Sequence, residues 1–201
     1  MNRRIALFIF LTLWACSPDY SPKPTGYFYI HIDDHKYRLF SDCPQFEFNI
    51  STQVEVDKLT DFKTWTPNVK FDNKTVYQQW FNLIYPSLGA QLYCDYLPIS
   101  SKNFAQISEE CRKFAYLHVK KANAILTRNY ANPEMRVYGL VYEIKGDVAS
   151  PVQFVLTDSV KHFFRGALYF DNVSSQDSIA PVAEYIKEDI EMLIESFKWK
   201  K

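Results

Sequence analysis

The chain has 201 residues with 23 basic and 23 acidic side chains, a balance that does not call for a phosphate backbone as partner. Only five glycines occur, with no G-x-G-x-x-G and no P-loop, which argues against a glycine-rich loop that cradles nucleotide phosphates. Aromatic residues make up 17%, with 16 Phe and 14 Tyr, a composition that favours strands and large buried areas.

The first elements concern export. Met1–Arg4 carries Arg3 and Arg4, Ile5–Trp14 is an apolar run, and small Ala15 precedes Cys16. A basic start, an apolar stretch and a small-residue cleavage site are the anatomy of a secretory signal. Ten residues at 1.5 Å rise are too few to cross a hydrocarbon core of about 30 Å. Leu13-Trp14-Ala15-Cys16 resembles the bacterial lipobox, in which a thioether-linked diacylglycerol is added to the cysteine before cleavage exposes its amino group. Trp14 departs from that pattern, where a small residue is usual. The expectation is a signal peptide over 1–15 and lipidation at Cys16, with acyl chains such as palmitate. Two or three chains hold stably, because each buried methylene adds about 0.8 kcal/mol. Loss of Arg3 and Arg4 with the leader leaves 21 basic against 23 acidic side chains.

Residues 16–25, with Pro18, Pro22 and Pro24, read as an extended lipidated tether. A single globular domain is expected over 26–201. Tyr27–Asp33 and Tyr37–Phe40 read as a hairpin around Asp33-Asp34-His35-Lys36. Phe46–Ile50 alternates apolar and polar as a half-buried strand does. Val54–Asn68 has mixed signals. Val69–Asp72 and Trp80–Tyr85 read as strands, Pro86–Gly89 as a turn, and Ala90–Leu97 as a further strand.

Ser100 or Ser101 is placed to cap a helix running to about Leu126. Phe104, Ile107, Cys111, Phe114, His118 and Ile125 supply its apolar stripe. Asn132-Pro133 breaks the pattern. Val137–Ile144, Val152–Thr157 and His162–Phe170 are strand-like, with turns at Gly146 and Asp158–Ser159. A last helix is predicted from about Ser178 to Trp199, with Pro181 tolerated in its first turn. Ile179, Val182, Ile186, Ile190, Leu193 and Phe197 form its stripe, and Lys198, Lys200 and Lys201 suit its negative end. The predicted class is α+β: a mostly antiparallel sheet covered by two long amphipathic helices.

With Cys16 lipidated, Cys43, Cys94 and Cys111 remain. Cys111 falls on the apolar face of the first helix, so Cys43–Cys94 is the default disulfide candidate in an oxidising compartment. The spacings do not resemble a zinc site. His31, Asp33 and His35 alternate and include metal-ligating groups, but no third firm ligand group is visible, and a polar strand end explains them better. Asp158, Ser159 and His162 hold the residue types of a hydrolase triad, but they lie within five positions on a turn, and Asp158 and Ser159 are better explained as turn formers. His118 suits a hydrogen-bonded residue at the core margin. No catalytic, cofactor or metal residue is assigned. The run Ser150–Phe170 is dense in aromatics, with Gln153, His162 and Arg165 interleaved. It reads either as a packed core hairpin or as a partner-binding surface using Gln153, His162, Phe163, Phe164 and Arg165, since aromatic and arginine side chains dominate binding hot spots.

Pro151–Phe170, with Tyr138-Gly-Leu-Val-Tyr-Glu-Ile144 before it and Ile194-Glu-Ser-Phe-Lys-Trp199 at the end, resembles the GldD gliding-motility lipoproteins of the Bacteroidetes. Pro22-Lys-Pro-Thr-Gly-Tyr-Phe28 and Trp80-Phe-Asn-Leu-Ile-Tyr-Pro86 look like further landmarks of that family. The likeness covers nearly the whole mature chain. It implies a cell-envelope lipoprotein needed for gliding and linked to the type IX secretion machinery, with other envelope proteins as partners. It brings no enzymatic activity, cofactor or nucleic acid, and only Cys16 has a matching functional position. Leu168-Tyr-Phe170 and Ser196-Phe197 also look distantly like a PsbP/Mog1-type sandwich, an analogy of fold alone. Ser17 after the cysteine, rather than Asp, favours the outer membrane by analogy with enteric sorting. Two other readings are a periplasmic hydrolase or metal-dependent enzyme, which requires converging histidines, and a small-ligand-binding lipoprotein, which requires an apolar cavity.

Overall fold

The computed structural model describes residues 33–58, 79–117, 121–171 and 176–200. The leader, Cys16, the tether, the Tyr27–Asp33 strand up to residue 32, Val69–Asp72, His31 and His118 lie outside them. Among the described residues ten strands and two α-helices occur in chain order: β1 (Tyr37–Phe40), β2 (Phe46–Ser51), β3 (Glu55–Lys58), β4 (Gln79–Tyr85), β5 (Ala90–Pro98), α1 (Phe104–Tyr116), β6 (Ala122–Asn132), β7 (Val137–Gly146), β8 (Val152–Thr157), β9 (His162–Phe170), α2 (Gln176–Ser196) and β10 (Lys198–Trp199).

Seven strands form one sheet in the order β3-β4-β5-β9-β8-β7-β6, and β1-β2-β10 form a second. Every pairing is antiparallel. Period-2 alternation sends Leu92, Cys94 and Tyr96 of β5, Phe154 and Leu156 of β8, and Phe164 and Leu168 of β9 to one face of the large sheet. There they meet Phe46, Phe48 and Ile50 of β2, the α2 stripe Val182, Ile186, Ile190 and Leu193, and Phe197 just after α2 in one buried cluster. Phenyl rings fill this interior: Phe46 lies 5.1 Å from Phe164, 5.6 Å from Phe197 and 6.2 Å from Phe81, centroid to centroid. On the opposite face, Ile107 and Cys111 of α1 pack on Leu97, Ile99 and Phe163. Ala115 continues that contact to Tyr142, Ile144 and Val148.

The expected sheet covered by two long helices is corrected. Among the described residues strand makes up 49% and helix 26%, so the architecture there is mostly β. Only α2 is long. The first helix stops at Tyr116, and Ala122–Asn132, expected to begin inside that helix, is a strand paired along its length with β7. Much of the layer opposite α1 is built by the small sheet rather than by helix. β1 pairs forward with β2, from Tyr37↔Ser51 to Phe40↔Phe48, and its expected hairpin partner Tyr27–Asp33 lies outside the described residues up to residue 32.

The last helix ends at Ser196, earlier than its apolar stripe suggests. Phe197 drops into the core at 1% exposure, and Lys198–Trp199 pairs with β2 at Glu47 and Phe46. Lys200 does not serve the helix terminus. Its ammonium donates to the Ser41 carbonyl (2.8 Å), the Ser41 hydroxyl (2.9 Å) and the Cys43 carbonyl (2.9 Å), fastening the β1–β2 connection. The three-residue turn after β4 is closed by Gly89 at φ 57, a left-handed conformation that costs glycine least.

Candidate functional site

Of the residues expected to form a partner surface, Gln153, Phe163 and Phe164 are buried, and His162 and Arg165 are half-buried. Phe163 and Phe164 are 1% and 0% exposed and point to opposite faces of the large sheet, into the two cores. They are core side chains, because neighbouring strand positions in a sheet covered on both faces are both buried. Gln153 is buried as well. Arg165 faces α1, where its Nε donates to Asp95 Oδ1 at 2.9 Å and its guanidinium lies 5.1 Å from the Phe114 ring centroid. Burial pulls the Arg165 pKa down, but the Asp95 carboxylate outweighs it and leaves the guanidinium held more firmly charged than usual.

His162 belongs to a different cluster. Its Nδ1 lies 2.8 Å from the Tyr96 hydroxyl, and its ring stacks on Trp199 at 5.0 Å. Burial lowers the His162 pKa against the opposing charge of Asp158. Burial, with Asp158 adding, pushes the Tyr96 phenol to about 12. Asp158 is a turn former: its Oδ1 accepts the backbone N–H groups of Lys161 (2.8 Å), Val160 (2.9 Å) and His162 (2.9 Å). Burial raises its pKa, and these three donors more than reverse the shift. Ser159, at φ 63, occupies the turn beside it. The three residue types of a triad are therefore used to shape a hairpin.

The densest cluster of ionisable groups lies where the described chain begins. His35, just before β1, sets Nδ1 2.7 Å from Asp189 Oδ1 and Nε2 2.9 Å from Glu188 Oε2, both on α2. Its ring stacks on Tyr185 at 4.1 Å and on Tyr37 at 6.0 Å. Gln53 donates to the Tyr185 hydroxyl at 2.8 Å. Asp189 is 3% exposed, whereas Glu188 is open to solvent. Burial and the Asp189 carboxylate push the phenols of Tyr37, Tyr85 and Tyr185 above the ordinary tyrosine value. Both imidazole nitrogens face carboxylate oxygens at hydrogen-bond distance.

This cluster ties the segment before β1 to α2, 154 residues later in the chain. The sequence flagged His35 for alternation with His31 and Asp33. Its partners could not be found that way, because nothing local pairs position 35 with 188 and 189. No group of three His, Cys, Asp or Glu residues suited to a metal occurs among the described residues. His35 and His162 occupy separate clusters with separate partners.

Cys43 packs against the core cluster that contains Cys94. Cys43, Cys94 and Cys111 are free thiols in this structure, and burial, then Asp95, then Cys43 push the Cys94 thiol up. Cys111 is buried, and burial raises its thiol to about 12 despite the opposing charge of Arg165. A cleft of about 250 Å³ opens between the β7–β8 corner and the start of α2, with Ile144, Val148, Val152 and Ile179 among its walls. Lys187 crosses its rim, 3.2 Å from both Glu143 and Glu184. No described helix is long and apolar enough to cross a membrane.

No curated protein matches the chain. A family profile described as gliding motility lipoprotein GldD matches residues 17–199, from the position after Cys16 to the end of β10. That match runs through both sheets, both helices and the His35 cluster, and the chain belongs to the gliding motility lipoprotein GldD family.

Proposed function

We propose that this lipoprotein is a non-enzymatic component of the cell envelope that supports gliding motility and the assembly or stability of the type IX secretion and gliding machinery. The observation that carries the reading is the family match over residues 17–199, beginning directly after the cysteine of the lipobox-like sequence. Anchoring through acylated Cys16, at the outer membrane and facing the periplasm, fits that position. The described histidines support a structural role, since each is engaged by its own packed partners rather than converging on one pocket. The ring-filled interior gives no support to a ligand carrier. In the same oxidising compartment Cys43 and Cys94 would close a disulfide, the two thiols passing two electrons and two protons to a thiol–disulfide oxidant.

Deletion of the gene followed by complementation tests the reading. Gliding and the envelope levels of the secretion machinery should fall in the deletion strain. The wild-type chain should restore both, and the Cys16→Ala chain, lacking acyl mass, should not. Normal gliding in the deletion strain, or full rescue by an unacylated chain, overturns it.

A further inference from the structure

β6 is the outermost strand of the large sheet, and among the described residues no strand pairs with its outer side. Along such an edge alternate residues present backbone N–H and C=O groups outward, which is a template for another strand. Natural edges are guarded by shortness, charge, proline or a bulge. The opposite edge follows that rule: β3 has four residues, Glu-Val-Asp-Lys, three of them charged. β6 does not. It has eleven residues, Ala-Asn-Ala-Ile-Leu-Thr-Arg-Asn-Tyr-Ala-Asn, with one charge and no proline. Its register shift lies at Ala122/Ala124, leaving Ile125–Asn132 regular. Leu126 is 50% exposed in the middle of it.

We propose that β6 pairs antiparallel with β6 of a second copy of this chain, joining two seven-stranded sheets into one. The edge is self-complementary. A two-fold axis normal to the sheet keeps each face with its like, so Leu126, Arg128 and Tyr130 of one copy meet the same set of the other. With Thr127 on the axis, Leu126 stands opposite Arg128 of the second copy, and the two guanidiniums do not face each other. Each Arg128 is already held by its own Glu191 at 3.0 Å. No further charge on β6 opposes the approach, and the pairing covers Leu126 and the outward backbone groups together. The short charged β3 and the four-residue β1 offer no comparable length of strand. An isologous pairing of this kind closes on itself and does not propagate into a filament.

The test uses the full-length acylated protein in nonionic detergent, with protein mass measured by sedimentation. The wild type should be dimeric at micromolar concentration. The double variant Leu126→Lys, Asn129→Lys, which places a charge on each face of the edge, should weaken association at least tenfold while its circular dichroism stays unchanged. In intact envelopes, a single cysteine at the axial position, Thr127→Cys, should crosslink to its own copy, whereas Val160→Cys in the β8–β9 turn should not. A monomeric wild type, a double variant that dimerises as tightly, absence of the Thr127→Cys crosslink, or crosslinks solely to a different protein would each overturn the proposal. None of these readouts depends on gliding, so their failure is distinguishable from failure of the functional reading.

Discussion

Arg165 sits within an aromatic run of the sequence, yet its guanidinium is spent inside the fold, 2.9 Å from Asp95 and beside Phe114. Removing one member of a buried pair leaves the other charge uncompensated, which costs about 3 kcal/mol or more. Arg165→Ala is therefore expected to lower the free energy of unfolding by about that amount in urea titrations. The pair Arg165→Met, Asp95→Leu should recover most of the loss, because it removes both charges and keeps the volume. If the double variant is as unstable as Arg165→Ala, the pair is not what the single change disrupts. His162 gives a second test. Its folded pKa lies below the ordinary histidine value because burial disfavours the charged ring. Below that ordinary value, about 6.5, the unfolded chain binds the proton more readily than the folded one. The stability contribution of the neutral ring is thus present above that pH and is lost as pH falls through the window beneath it. Unfolding of the wild type should weaken more between pH 7.5 and 5.5 than unfolding of His162→Gln, in which that titration is gone.

The elements show where reading by period succeeds and where it fails. β2, β4, β5, β7, β8 and β9 were legible because alternation and turn residues agree along each of them. The end of α1 was not. Ile125 stands seven positions after His118 and extends a helical stripe on paper, and Ala122, Ala124 and Leu126 are good helix formers. What decides the segment is non-local: Asn132-Pro133-Glu134-Met135 and Arg136, at φ 53, turn the chain so that β6 pairs with β7. Propensity yields to that pairing, as it commonly does when a hairpin partner is available. The His35 cluster was only half legible for a related reason. The histidine could be flagged, but its carboxylates arrive from α2. The β7–β8 pairing carries its own test. A methyl group at Gly139 would collide with the Val155 carbonyl oxygen on β8, a backbone atom that cannot swing aside. Gly139→Ala is expected to destabilise by about 1–3 kcal/mol through forced separation of the two strands. Hydrogen exchange should show the loss as faster exchange of the β7 and β8 amides, and an unchanged pattern would mean that the sheet absorbs the methyl elsewhere.

The whole molecule is closed by its last described residues. α2 hands the chain to Phe197, which is 1% exposed and lies 5.6 Å from both Phe46 and Phe48 and 5.2 Å from Phe164. β10 then pairs with β2, while Lys200 fastens the β1–β2 connection. At the other end of β1, His35 holds the segment before that strand to α2. The small sheet is therefore joined to the rest both through His35 before β1 and through residues 197–200 after α2. A three-stranded sheet whose outer strands have four and two residues has little stability alone, so its order depends on those joints. Phe197→Ala empties a ring-sized site at the centre of the aromatic cluster, and truncations of this kind cost about 3–5 kcal/mol. Because the site lies between the layers, loss of the ring should loosen the small sheet before the large one. Hydrogen exchange on Phe197→Ala is expected to show β1 and β2 amides opening at lower denaturant than those of β5 and β9, whereas both groups should open together in the wild type. Uniform opening in the variant would show that the two sheets form one cooperative unit even without the ring, and that the joint is not where the domain is weakest.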